Sequence, residues 1–454
     1  MRMQSYLGVA MSMALVGAAI AACKSSDPGA TTTGTHCTPG NYVFCTCEDR
    51  NHGTHLCRPD GASFDACVCD GSQPPITEDP DAGIISSPPE MIDAGPVTGP
   101  IIDAKCSGKM GLVAGSKAPD HDVFFASYMG AGMFSVTKST GLGVRGPITV
   151  LPVGPSLVAT YLGDYQFMGF TKLAAGSWST PTSLGATGGA SDKATSALLL
   201  NGQIRAFYLN ASDGKYHMQS YAEATGWQPD ATGPGVVAEH SGDSGAPVPG
   251  KSAPAAAAVG NTITLAFAGD DGTLAREQYS GSSWSPTKFG GSASFPAQPA
   301  IVALDPGGMH DELLVYAGSD LLLHVATRVS TNKGWNTAFL FDTAASSTDL
   351  ALQAMPGGKA MLVYKSASDG HGYYSVWSEA AGFATPTPLV AAGNPELASV
   401  PSIARGQCGS DVTIAYAQKD GLVKILRYSA GTMTGPFDVG GITKATWVGV
   451  GEMP

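Results

Sequence analysis

A pattern of three markers recurs along most of this chain and restricts its fold more than any other feature. An aromatic residue closes an alternating apolar run at Tyr161, Tyr208, Phe267, Tyr316, Tyr364 and Tyr416. A turn follows at Asp164, Asp213-Gly214, Asp271-Gly272, Asp320, Asp369-Gly370 and Asp420-Gly421. A large apolar residue comes after a further run, at Trp178, Trp227, Trp284, Trp335, Phe383 and Met433. A degenerate copy opens the series with Val123, Phe125 and Tyr128 before Gly130-Ala131-Gly132.

Asp-Gly between alternating apolar runs is a strong hairpin signal, because that pair tolerates the positive φ a right-twisted turn demands. Each copy is therefore a small antiparallel sheet. The period of roughly fifty residues matches a four-stranded propeller blade and shows no helical periodicity. One such sheet cannot bury both faces, whereas radial packing of several does, with the aromatic markers cementing neighbours. The 59 glycines and 31 prolines fit a turn-rich, all-β chain. We expect a roughly seven-bladed β-propeller over residues 104–454. Six blades is the alternative, because the short gap between Tyr128 and Tyr161 suggests a truncated second repeat; a loop from Val236 to Ser252 lengthens the gap from Tyr208 to Phe267. In a ring the first and last repeats are neighbours, so Cys106 and Cys408 are expected to form a disulfide. The alternating segment from Ala445 to Val450 is expected to join the first blade and close the circle.

Residues 1–22 read as a targeting segment, with Arg2 as its positive end and an apolar run from Leu7 to Ala19 that is short for a membrane span. Ile20-Ala21-Ala22-Cys23 resembles the bacterial lipobox. The resemblance implies cleavage before Cys23, lipidation of its thiol, and a chain anchored in the outer membrane facing the cell surface. Acyl chains contribute about 0.8 kcal/mol per buried methylene to such an anchor. An ordinary signal peptide cut near Ala22, leaving Cys23 free, is the alternative. A polar tether, 23–36, follows.

Cys37, Cys45, Cys47, Cys57, Cys67 and Cys69 then crowd into a small module, 37–69. So short a segment buries too little apolar surface to fold unaided, and an exported compartment permits disulfides, whose pairing the sequence leaves open. Zinc knuckles favour Cys-x-x-Cys, whereas Cys45-Thr46-Cys47 and Cys67-Val68-Cys69 have a single intervening residue, so no metal is expected even with His36, His52 and His55 nearby. The succession Cys37-Thr38-Pro39-Gly40, Cys45-Thr46-Cys47, Gly53-Thr54, Cys57, Asp60-Gly61 and Cys67-Val68-Cys69 resembles the cysteine-rich modules of myxobacterial-type surface lipoproteins. That likeness implies a spacer or adhesive role. Residues 70–103 form an acidic, proline-rich linker that stays extended.

A net charge of −12 and the absence of a basic cluster argue against nucleic-acid binding. Gly242-Asp243-Ser244-Gly245-Ala246-Pro247 resembles the nucleophile segment of chymotrypsin-like proteases, but no histidine and aspartate context for a triad accompanies it. A sialidase-like glycosidase is the main enzymatic rival. It needs an arginine cluster, and Arg205, Arg276, Arg328, Arg405 and Arg427 are spread over different repeats. Asn210-Ala211-Ser212 and Asp270-Asp271 are read as turns, neither as a glycan acceptor nor as a calcium loop. No cofactor is expected.

The order of strand aromatic, Asp-Gly turn, Tyr279 and Trp284-Ser285 resembles fucose-binding and related bacterial lectin propellers, whereas the glycine doublet of kelch repeats is missing. The resemblance implies sugars held in clefts between blades against an aromatic plane. Trp178, Trp227, Trp284 and Trp335 become candidate platforms, with Arg276 and Glu277 as polar partners. A plainer reading makes these tryptophans inter-blade packing. The expected function is non-catalytic binding of a glycan or a surface protein, with a structural scaffold as the alternative.

Overall fold

A computed structural model describes residues 42–46, 52–56, 58, 63 and 65 and, from 102 to 454, all but 118–119, 141–142, 164–167, 184–194, 210–215, 230–251, 269–272, 280–283, 293–297, 306–307, 319–321, 331–333, 337–338 and 392. The chain divides into two units, Met1–Asp93 and Ala94–Pro454. In the first, strand Tyr42–Thr46 pairs antiparallel with His52–Leu56, setting Cys45 opposite Gly53, and Arg58 forms an ion pair with Asp65 at 2.7 Å. The lipobox, residues 70–101 of the linker and the pairing of the six clustered cysteines lie outside the described residues.

The second unit is a seven-bladed β-propeller. The first blade runs Trp447–Glu452, Met110–Gly115, Asp122–Gly130 and Met133–Thr140 from its inner to its outer strand. Blade 2 holds Thr149–Val153, Ser156–Leu162 and Met168–Ala174, with the short Ser177–Trp178 and Thr182–Ser183 outside them. Blade 3 is Ser196–Leu200, Gln203–Leu209, Tyr216–Ala222 and Gly226–Pro229. Blade 4 is Ala255–Val259, Thr262–Ala268, Thr273–Tyr279 and Trp284–Ser292. Blade 5 contains Ala300–Ala303, His310–Ala317 and Leu322–Val329. The long strand Phe339–Met355 completes blade 5 with its first half and begins blade 6 with its second. Blade 6 continues through Lys359–Ser366, Gly372–Ser378 and two short outer pairs, and blade 7 is Ser402–Arg405, Val412–Ala417, Val423–Ser429 and Thr432–Asp438.

Strand alternation explains how one sheet cements two neighbours. Along Met110–Gly115, Met110, Leu112 and Ala114 pack toward blade 7, whereas Val113 packs toward blade 2. The inner strands surround an axial cavity of ≈ 470 Å³, lined by Leu151, Leu199, Val302, Leu352 and Ile403 among others. Where the Asp-Gly turns are described, Gly370 and Gly421 have φ of 72° and 86°, and Asp369 and Asp420 each accept a backbone N–H two residues on, at 3.0 Å. The turns at Asp164, Asp213-Gly214, Asp271-Gly272 and Asp320, and the loop containing Ser244, lie outside the described residues.

The terminal strand pairs with Met110–Gly115, setting Leu112 opposite Val450 and Gly115 opposite Trp447, so the last residues of the chain close the ring. Cys106 and Cys408 are joined by a disulfide across the same seam, Cα to Cα 5.4 Å. One expectation needs correction. Tyr128 ends the third strand of blade 1, so it matches Tyr279 and Tyr428 rather than Tyr161 and Tyr416. Its hydroxyl donates to Ile102 O at 2.7 Å. The frame shifts by one strand because the chain enters blade 1 at the second strand and supplies the first from its other end. The short gap before Tyr161 follows from this, and the second blade is complete.

Candidate functional site

The candidate site is the set of clefts between blades, and the marker residues lie in them. Trp178 of blade 2 donates its indole Nε1–H to Ala126 O of blade 1 at 2.9 Å, and its ring centroid lies 6.1 Å from that of Phe125. A Cβ on Gly111 would come within 2.8 Å of the same ring, so only glycine lets blade 1 approach so closely. Trp227 of blade 3 meets Phe170 of blade 2 edge-on at 5.5 Å and Tyr221 of its own blade at 5.3 Å. Trp284 of blade 4 meets Phe207 of blade 3 edge-on at 6.1 Å and Tyr279 at 5.1 Å. Trp335 packs against a cluster that joins Ala255, Ala257 and Ala266 of blade 4 to Ile301, Leu314, Tyr316 and Ala326 of blade 5. Phe383, Met433 and Phe134 pack at the remaining three seams. Every marker packs at the seam with the preceding blade, and that is why its spacing in the chain is regular.

All four tryptophans are half-buried, so each cements a seam and leaves part of its surface accessible. Arg276 and Glu277 lie in the strand Thr273–Tyr279, opposite Thr287 and Pro286, and their side chains lie outside the described residues.

Several charged groups at the seams were not singled out from the sequence. Glu223 follows the third strand of blade 3 and accepts a hydrogen bond from Lys172 of blade 2. Glu379 occupies the matching place in blade 6 and accepts from the backbone N–H of His310 in blade 5 at 3.0 Å. A readable signal existed: Tyr221-Ala222-Glu223 before Gly226-Trp227 is repeated as Trp377-Ser378-Glu379 before Gly382-Phe383. Within blade 5, Glu312 and Arg328 stand opposite each other and form a buried ion pair at 2.7 Å. At the ring closure Glu452 is buried with Arg427 at 3.6 Å. Its Oε2 accepts from the N–H groups of Gln407 and Cys408 at 2.7 and 3.2 Å, and its Oε1 accepts from the Thr413 hydroxyl. Among the described residues the one grouping of metal-type donors is Cys106, Cys408 and Glu452, and the disulfide occupies both sulfurs.

Tyr161, Tyr364 and Tyr416 close the second strands of blades 2, 6 and 7 and are almost wholly buried. Burial pushes all three phenols well above their ordinary value, with Tyr373 and Asp369 adding to the rise at Tyr364 and Asp438 at Tyr416. In the unfolded chain the same phenols ionise near pH 10, so only that state releases protons as the pH passes it. Stability is therefore expected to hold up to about pH 10 and then to fall steadily as pH rises toward the folded-state values. Urea midpoints across alkaline pH, with phenolate absorbance as the second probe, check this; three phenols titrating normally in the folded protein would refute it.

No protein-family model matches the chain, and no curated protein is significantly similar to it in sequence. Solved structures are similar. BP39L lectin from Burkholderia pseudomallei is 16% identical with a TM-score of 0.53, the match covering 74% of this chain and 99% of that one. A triple mutant of AofleA from Arthrobotrys oligospora is 13% identical with a TM-score of 0.52, covering 69% and 91%. At these identities the likeness is one of fold, and it places this chain's architecture beside that of a lectin propeller.

Proposed function

We propose that the protein is a non-catalytic carbohydrate-binding propeller, held at the outer surface of a bacterial outer membrane by lipid on Cys23. The observation that carries the binding reading is the placement of Trp178, Trp227, Trp284 and Trp335 at seams between blades, each only half-buried. An indole offers an apolar plane that suits the C–H face of a sugar. The likeness in fold to a lectin supports this reading. Described carboxylates at the seams are engaged in holding blades together, as Glu223 is by Lys172 and Glu379 by the backbone N–H of His310. Weak sites around one ring, on a tethered chain, gain strength by multivalency. The lipid anchor rests on the lipobox-like Ile20-Ala21-Ala22-Cys23.

A broad glycan array probed with the Cys23→Ser chain, alongside Trp284→Ala checked for folding, tests the binding. Saturable binding reduced at least about tenfold by loss of the indole is expected. Silence across the array favours a protein-binding scaffold, and hydrolysis of a sialoside would make the glycosidase reading first. The scaffold is the second reading because Met129 and Met133, on either side of the Gly130-Ala131-Gly132 turn, are 53% and 62% exposed. Labelling of the wild-type chain with an alkyne fatty acid, lost on Cys23→Ser, tests the anchor.

A further inference from the structure

In blades 2, 3, 4, 5 and 7 the innermost strand is the last of its sheet, so N–H and C=O groups along its inner edge face the axis and pair with no strand. These open edges form the wall of the axial cavity of ≈ 470 Å³. At the ring closure a side chain engages one such group, Val450 N donating to Ser402 Oγ at 3.1 Å.

The strand register sorts the lining side chains into levels. Thr149, Ser196, Ala255, Ala300 and Ser402 each stand opposite the residue just before a second-strand aromatic, and all five are small. One to three residues further on come Leu151, Leu199, Val302, Leu352 and Ile403, an aliphatic band about 10 Å deep. Arg405 lies at the end of that band. It stands opposite Val412, four residues before Tyr416, as Leu199 stands opposite Ile204, four before Tyr208. Two of the described lining residues are charged: Glu452 is buried beside Arg427, whereas Arg405 is exposed and holds Asp305 at 3.8 Å. The opposite mouth carries Pro147, Pro299 and Pro401, which have no N–H to donate.

We propose that the axial cavity takes the C-terminal end of an extended polypeptide from a partner protein, with its terminal carboxylate on Arg405. This goes beyond glycan binding and uses no seam between blades. An open strand edge is best satisfied by another strand, because a peptide supplies N–H and C=O groups at matching spacing. An alkyl chain would displace water from those groups and leave them unpaired. Blade 4 offers the barest edge, since the strand Ala255–Val259 begins with four alanines. Five residues span about 17 Å, and ≈ 470 Å³ over that length leaves room for one strand. So narrow a passage admits a free chain end and excludes a loop. Apolar side chains of the last two or three residues fill the aliphatic band, and Arg405 exchanges its long contact with Asp305 for a charge-assisted hydrogen bond. The chain enters by the proline mouth and runs parallel to the inner strands.

The test uses the full Cys23→Ser chain and fluorescence anisotropy. The probes are fluorescein-labelled hexapeptides, Gly-Ser-Gly followed by every combination of Ala, Val and Leu over three positions, as free acids and as C-terminal amides. Saturable binding of free acids, at least about tenfold tighter than their amides, is expected. Arg405→Gln should abolish that preference. Leu199→Glu, at a position 42% exposed, places an anion at the level of Arg405 and should weaken the free acids about tenfold with Tm unchanged. It keeps the test decisive should Arg405→Gln lose its fold. Amide hydrogen exchange over 255–259 should slow on binding, and peptides N-methylated at alternate residues should bind at least about tenfold more weakly.

Equal affinity for acids and amides overturns Arg405 as the seat of the carboxylate. Undiminished binding of the N-methylated peptides, or unchanged exchange over 255–259, overturns strand pairing in the channel. Dodecanoate slowing that exchange where no peptide does makes the cavity an alkyl site and overturns the peptide. Silence of all the peptides overturns the proposal outright, and it leaves sugar binding on the array untouched.

Discussion

Cutting the covalent closure, by Cys106→Ser with Cys408→Ser, is expected to lower the stability of the propeller by about 5 kcal/mol. The two cysteines are 302 residues apart in sequence, so the bond closes nearly the whole ring and removes a large share of the unfolded chain's freedom. The loop-closure term grows only with the logarithm of length, so a longer ring would add little more. Urea denaturation of the double variant against the oxidised parent measures the loss. A difference below about 2 kcal/mol would mean that the unfolded ensemble is already compact, or that the terminal strand alone holds the seam.

Glu452→Ala should cost about 3–5 kcal/mol, measured in the same way with the disulfide intact. The carboxylate is fully buried, and removing it strands the Arg427 guanidinium, also buried, together with the N–H groups of Gln407 and Cys408 and the Thr413 hydroxyl. Arg427, Thr413 and Cys408 are buried while Gln407 is exposed, so the cost is mainly that of leaving the three buried partners unpaired. Arg427 also donates to Ser410 Oγ at 2.9 Å and Cys408 O at 3.1 Å, which softens the loss without cancelling it. Glu452→Gln keeps an acceptor oxygen and should cost less than the alanine variant. Because Cys408 both forms the disulfide and donates its N–H to Glu452, the two lesions should not add; a coupling of about 0.5–3 kcal/mol is expected in the combined variant. Strict additivity would show that strand, ion pair and disulfide act independently.

The seven-bladed architecture was readable because each blade solves the same local problem with the same residue types. Tyr161, Tyr208, Phe267, Tyr316, Tyr364 and Tyr416 all end a second strand, and the residue that follows the next hairpin packs a seam in every blade. Ring closure was readable for the same reason, since a circular array makes its first and last members neighbours. The frame of blade 1 was not, because Tyr128 looks like the other strand-ending aromatics, and only the pairing of Met110–Gly115 with Trp447–Glu452 shows which strand it ends.

The seam charges divide along the same line. Glu223 and Glu379 sit in a repeated tripeptide that the chain displays openly, yet their partners Lys172 and His310 come from the preceding blade. Nothing near Glu452 in the chain announces Thr413 and Arg427. Alternation, turn chemistry and repeat length are properties of neighbouring residues, so the sequence by itself determined the strands, the blade as a unit, the ring and the positions of its cement. Which faces meet across a seam depends on how each sheet sits against the next, and only the tertiary structure decided that, because groups distant in sequence become partners when packing expels the water between them.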